Sequence, residues 1–410
     1  MQSGTNLTSV RDYNELVILE AIRRKDALSR VEIAQQTGLT AQTISNVVKR
    51  LLNQGMIRED GKCATGRGKH RVQLMIRPDA GYAIGVQIER YETTAVIVDL
   101  LGRPVARHQQ PTKQSEGADA VIQVVVTMID HLMQQIGIAR ERIVGIGVAC
   151  PGPLDHLQGI VHNSLGLVGW QNVPLKAILE EKTGLPVVVD RDATAAAIGE
   201  HWARRDEDIR NFAFFYVGGG IGTGLFLEKR IFRGSTTMAG AVGHMTLDPN
   251  GPLCSCGNRG CVGYTSDPHG VLHTLQEHLR QGATSNLTLS DLTGREDLAF
   301  EKVCDAAVQG DALALEELRS SARWQGYAIL NLINLLDVEL VVIGGPALDN
   351  AIGDLYIEEV RHVLQERLLG NNQRTVRVER TVVGADVGSI GAASLVLHTT
   401  YTPQLKALNY

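Results

Sequence analysis

Cysteine is scarce, with six among 410 residues, and three of the six fall in the eight-residue stretch Cys254 to Cys261. That distribution excludes a disulfide scaffold and points to metal ligation in a reducing compartment. No uninterrupted apolar run of about 20 residues occurs, which excludes an evident membrane helix. The opening Met1-Gln2-Ser3-Gly4-Thr5-Asn6 has no basic segment followed by an apolar one, so a cytoplasmic location is expected. The glycine-rich run Gly218-Gly219-Gly220-Ile221-Gly222-Thr223-Gly224 lacks the lysine of a P-loop, so ATP binding does not follow from it.

What is present is unevenly charged. The first 80 residues hold 13 Lys/Arg against 8 Asp/Glu, and the remainder holds 27 against 37, giving a head of +5 and a body of −10 within a net charge of −5. A basic head on an acidic body restricts a nucleic-acid contact to the head. The length allows two or three domains with substantial cores.

The head reads as a helix-turn-helix. Leu16, Leu19, Ala21 and Ile22 suit one packed helix, Ser29 with Glu32 three positions on forms a capping signature, and Gly38 closes the second helix. A third helix is predicted from Thr40, with Thr40, Gln42, Thr43, Ser45 and Asn46 near its exposed start and Ile44, Val47, Val48, Leu51 and Leu52 for packing. Those polar side chains suit base edges, whereas Lys49 and Arg50 suit phosphate. A hairpin from Ile57 to Ile76 carries Arg67, Lys69 and Arg71 in a glycine-bearing loop fit to approach a phosphate backbone or minor groove. A basic loop on a protein-interaction domain is the competing reading.

In the body, short strand patterns at 82–88, 94–99, 143–149, 212–217 and 339–343 alternate with helical ones such as 118–137, which predicts a two-lobed α/β architecture. His244, Cys254, Cys256 and Cys261 supply one imidazole and three thiolates, a closed set suited to structural zinc, and Gly257 and Gly260 let the ligand loop turn. Cys63, Cys150 and Cys304 have no such neighbours. The glycine runs at 218–224 and 344–345 read as tight turns, with nucleotide contact as the alternative. Asp192 stands where a strand passes into a helix; capping or ligand binding is preferred there over general-base chemistry, and Arg191 is expected to hold its carboxylate ionised.

Cys150-Pro151-Gly152-Pro153-Leu154-Asp155, Asp192-Ala193-Thr194-Ala195-Ala196-Ala197-Ile198-Gly199-Glu200, Gly243-His244 through Cys261, and Gly384 to Ala393 together closely resemble the ROK family, whose name joins repressors, open reading frames and kinases. The resemblance spans nearly the whole chain and is strongest to the winged-helix, sugar-responsive repressor branch. It implies an actin-like ATPase body: a winged head at 1–80, a smaller lobe at 81–200 completed by 387–410, and a larger lobe at 201–386 bearing the zinc and an oligomerisation surface. It implies an interlobe sugar cleft with Asn163, Arg191, Asp192 and His244 as effector contacts, a homodimer or homotetramer, and an inverted-repeat operator in double-stranded DNA. Asp192 matches the carboxylate that serves as base in the kinases.

Departures from the family pattern argue against catalysis. Active relatives carry Asp-x-Gly-Gly-Thr after the first strand, where this chain has Gln87-Ile88-Glu89-Arg90-Tyr91, so a Mg-phosphate organiser is missing. Arg191 takes the place of an Asn, Ala241 that of a glutamate in Gly-Glu-x-Gly-His, and Gly263 that of another glutamate. The expectation is a non-enzymatic DNA-binding regulator, a repressor whose effector is an acidic or phosphorylated sugar paired by Arg191. A sugar kinase with an extra head, and an effector-independent DNA-binding or protein-interaction scaffold, are the alternatives.

Overall fold

The computed structural model describes residues 7–63, 71–164, 166–370 and 373–403. Its head is built from α1 (Leu7–Arg24), α2 (Arg30–Thr37), α3 (Ala41–Asn53) and a hairpin of β1 (Ile57–Cys63) and β2 (Arg71–Ile76). The predicted caps do what their chemistry requires: the Glu32 amide donates to Ser29 Oγ, and the Ser29 amide donates back to the Glu32 carboxylate at 2.8 Å. Thr40 caps α3 by accepting from the Thr43 amide. Ile18, Ile22, Ile33, Ile44, Val48 and Leu74 meet in the head's interior.

The first lobe follows with β3 (Tyr82–Ile88), β4 (Glu92–Asp99), β5 (Pro104–Pro111), α4 (Ala118–Ile136), β6 (Ile143–Cys150), β7 (Leu154–Asp155), β8 (Ile160–Val161), α5 (Leu175–Thr183), β9 (Val187–Arg191) and α6 (Asp192–Ala203). The second holds β10 (Phe212–Val217), β11 (Ile221–Leu227), β12 (Arg230–Phe232), α7 (Val262–Ser266), α8 (Pro268–Arg280), α9 (Glu296–Val308), α10 (Ala312–Leu336), β13 (Leu340–Gly344), α11 (Ile352–Arg367) and β14 (Arg377–Arg380), before the final α12 (Val387–Tyr401). The sheets run β5-β4-β3-β6-β9 and β12-β11-β10-β13-β14. Both are built alike: an antiparallel three-strand meander whose first strand pairs in parallel with one later strand, which in turn pairs in parallel with the next. Such parallel strands are buried on both faces, which is why β10 and β13 read as unbroken apolar runs.

α6 and α12 lie between the two sheets, and close backbone approach fixes them there. A Cβ on Gly147 of β6 would sit 1.8 Å from the Ala392 carbonyl, and one on Gly391 would sit 2.2 Å from the Ala195 carbonyl, so only glycine fits either contact. The head is welded to this centre. Its core is continuous with Leu100, Trp202, Val396 and Leu397 of the body. The buried Arg23 guanidinium stacks 3.9 Å from the Trp202 ring centroid and donates to the Trp202 carbonyl at 3.2 Å, while Arg24 donates to the Arg205 and Glu207 carbonyls.

Candidate functional site

Three groups of residues carry the candidate chemistry. On the head, Thr40, Gln42, Ser45, Asn46 and Lys49 of the α3 region are exposed and Thr43 is half-buried, because Ile44, Val47, Val48 and Leu51 turn the opposite face inward. Arg50 departs from the phosphate-contact expectation. Its guanidinium is half-buried in an ion pair with Glu15 of α1, so its charge braces two helices of the head. Arg71 is exposed at the start of β2, whereas Arg67 and Lys69 lie outside the described residues.

In the second lobe, His244 sits on a short helical turn and Cys254, Cys256 and Cys261 on the loop behind it. Their ligand atoms all lie within 4.8 Å of one another. His244 Nδ1 is 3.8 Å from Cys254 Sγ, and the Cys256 and Cys261 sulfurs are 3.6 Å apart. Ligands about 2.3 Å from a tetrahedral ion would be about 3.8 Å from each other, so this donor set is close enough together to hold one metal ion. The loop closes because Gly260, at φ 61, passes so near the Asp248 carbonyl that a Cβ there would lie 1.6 Å from it.

The third group lines the crevice where the carboxyl ends of β3, β9 and β10 face one another across the lobes, the usual ligand position in open α/β sheets. Several bridges cross it. Asp190 pairs with Arg233 at 2.7 Å, His156 Nδ1 and Thr237 Oγ1 are 2.7 Å apart, and Arg191 donates to the Ala239 carbonyl. Arg191 is only 7% exposed and its Nε has no hydrogen-bond partner. Asp192 is next to it, at the first position of α6. Its carboxyl is raised above the ordinary range, because desolvation by burial outweighs the Ala193 amide and the neighbouring Arg191 charge. This corrects the expectation that Arg191 would dominate. Asn163 stands exposed on the loop after β8, and Arg191 bonds Ala239 rather than Asn163.

Deeper in the crevice lies a network that sequence reading left incomplete. The Gln87 amide donates to Tyr216 Oη at 2.6 Å and to Glu89 Oε1 at 2.9 Å, and the Tyr216 hydroxyl donates to Glu89 at 2.7 Å. The Glu89 carboxyl is pushed up to about 7, first by burial, against the lowering effect of the Tyr216 hydrogen bond. Gln87 and Glu89 stood out in the sequence, but nothing there marked Tyr216 as their partner. The glycine run divides by role: a Cβ at Gly224 would sit 2.1 Å from the Ala193 carbonyl, so that glycine serves packing, while Gly219 and Gly220 face open space.

Comparison with known proteins then places the chain. The profile of the ROK family matches residues 83–399, and a winged helix-turn-helix DNA-binding profile matches residues 11–58. The chain belongs to the ROK family. A putative xylose repressor of Caldicellulosiruptor sp. strain Rt8B.4 is 28% identical over 392 residues, covering 96% of this chain and 97% of the relative. Among solved structures, a ROK family transcriptional regulator, a homologue of the E. coli MLC protein, superposes with a TM-score of 0.79 at 24% identity over 96% of this chain and 98% of that one. A ROK glucokinase from Streptomyces griseus, in complex with glucose and AMPPNP, gives a TM-score of 0.67 at 26% identity over 77% of this chain and 99% of its own. The ROK body is thus the actin-like kinase fold carrying a DNA-binding head. One family departure is built into the backbone: a side chain at Gly263 would place its Cβ 2.9 Å from the Gly243 carbonyl, so a glutamate there would force the segment carrying His244 aside.

Proposed function

We propose that this ROK protein is a sugar-responsive transcription regulator acting as a repressor, with a cleft that no longer transfers phosphate. The observation that carries the reading is the Gln87–Glu89–Tyr216 network. It sets a hydrogen-bonded carboxyl, rather than a metal-organising aspartate, at the end of the first strand where kinase relatives bind phosphate. The welded head supports the same reading, since a cleft that shares its central helices with a DNA-binding unit is placed to bias it. The repressor name borne by the Caldicellulosiruptor relative, which is matched over 97% of its length, supports a sugar-class effector.

His244, Cys254, Cys256 and Cys261 are assigned structural zinc, three thiolates and one imidazole leaving no position for reactive water. DNA contacts are assigned to Thr40, Gln42, Thr43, Ser45, Asn46, Lys49, Arg67, Lys69 and Arg71, and effector contacts to Asn163, Arg191, Asp192 and His244. The unpartnered, buried Arg191 Nε supports an anionic effector, a sugar acid or sugar phosphate. Two heads in a symmetric dimer would address an inverted repeat.

The deciding experiment captures genomic DNA on the purified protein with and without a metabolite pool, alongside a coupled ATP-consumption assay over a sugar panel. Sequence-specific capture weakened by metabolites, with no sugar-dependent ATP turnover, is the expected result. Turnover abolished by Asp192→Asn would instead establish a kinase. Thermal-shift screening of neutral sugars, sugar acids and sugar phosphates assigns the effector class; stabilisation by neutral sugars alone would remove the anionic assignment.

A further inference from the structure

The bonding state of α3 narrows what the head can read. Of the polar side chains on its exposed side, several are already partly engaged in local bonds. Ser45 Oγ donates to the Ala41 carbonyl at 2.8 Å, the Thr40 and Thr43 hydroxyls are 2.9 Å apart with Thr40 also holding the Thr43 amide, and Arg50 is paired with Glu15. Lys49 is exposed, but it is a point charge near the helix's end, suited to phosphate. What remains is an amide pair: the exposed Gln42 donates through Nε2 to Asn46 Oδ1 at 3.1 Å, one turn further along the same face.

That single bond aligns Gln42 without exhausting it. A primary amide has two N–H donors and an acceptor oxygen, so Gln42 keeps one N–H and its Oε1, and Asn46 keeps its NH2 group. One donor and one acceptor on one planar amide match adenine in the major groove, where N7 accepts and the N6 amino group donates. Guanine presents two acceptors, N7 and O6, and is ordinarily read by a free Arg fork or by a Lys ammonium placed against the base edge. Among the described residues α3 offers no free arginine for that purpose, Arg50 being committed.

We infer that Gln42, buttressed by Asn46, is the specificity-determining residue of the head and reads an adenine in each operator half-site. The inference rests on the DNA-binding reading above. Asn46 acts as a positioning residue that holds the Gln42 amide plane; phosphate contacts supply affinity without setting the base.

The test is selection of bound duplexes from a randomised library by the full-length wild-type protein, Gln42→Ala, Gln42→Glu and Asn46→Ala. Wild-type protein is expected to return half-sites with a dominant adenine. Replacing that adenine by 7-deazaadenine, which keeps Watson–Crick pairing but lacks the N7 acceptor, should weaken binding about tenfold. Gln42→Ala should lose the preference at that one position, and Gln42→Glu should move it to cytosine, whose amino group donates to a carboxylate. Asn46→Ala should blunt the adenine preference without changing the preferred base. A wild-type consensus dominated by guanine, or one unchanged by both Gln42 substitutions, overturns the inference while leaving DNA binding intact. Failure of wild-type protein to enrich any sequence removes the DNA-binding reading itself.

Discussion

At the residue scale, Glu89 gives a signed pH effect. Its carboxyl titrates at about 7 in the folded protein against 4.5 ordinarily, so the native state binds a proton that the unfolded chain releases between those values. Its contribution is therefore fully present below pH 4.5 and is lost as pH rises through 7. Buried His201 and His398 act in the opposite sense. Burial depresses both, His398 to about 4, so their contribution is fully present above pH 6.5 and is lost as pH falls below it, through about 4 for His398. The wild-type curve mixes these trends, and the difference between variants isolates one. Glu89→Gln should gain stability over wild type by about 1–3 kcal/mol at pH 8 and nothing at pH 4.5, measured by denaturant melts at both values. A second residue-scale outcome concerns the thiols. One zinc per chain is expected by mass spectrometry, lost together with thermal stability in Cys261→Ser, because removing one of four ligands opens a closed site. Cys304 should resist thiol reagents in the folded protein, since burial pushes it up to about 12.

At the scale of the element, α6 joins more of the molecule than any strand does. Its first turn carries Asp192 in the crevice, its middle touches α12, and its last turn presents Trp202 to the head. Fully buried Glu200 pairs with Arg204 and accepts from Thr381 at 2.6 Å, tying the helix to the segment that leads into α12. The glycine contact between α6 and α12 should tolerate little: Gly391→Ala is expected to cost about 2 kcal/mol or more, as overpacking against a backbone carbonyl does, read as a fall in the urea midpoint. A neutral outcome would mean that the helices can part without loss.

For the whole molecule, the question is how a crevice speaks to a head. α6 spans about 18 Å from Asp192 to its far end, and a packed helix passes a small displacement along its axis. Arg23→Ala removes the stacking on Trp202 and the bond to its carbonyl while leaving α3 untouched. That variant should bind operator about as well as wild type without effector, yet show a several-fold smaller change in affinity when effector is added, by DNA titration in both conditions. An unchanged effector response would place the coupling elsewhere.

Much of this was legible from sequence because the deciding residues are neighbours in the chain. The cap at Ser29, the helix start at Thr40, the apolar runs of β3, β6, β10 and β13, and the His/Cys cluster between His244 and Cys261 depend on local spacing and periodicity, which a linear reading registers directly. The strand β5 and the continuation of α1 to Leu7 had weaker patterns and were not foreseen. Charge asymmetry and motif spacing likewise determined that a basic head precedes a two-lobed α/β body. The tertiary structure alone decided which partners the polar groups find. Arg50 turned to Glu15, Glu89 met Tyr216 from the other lobe, burial overcame Arg191 at Asp192, and Arg23 stacked on Trp202. Each outcome depends on desolvation and on contacts between distant segments, quantities that exist only once the chain has closed upon itself.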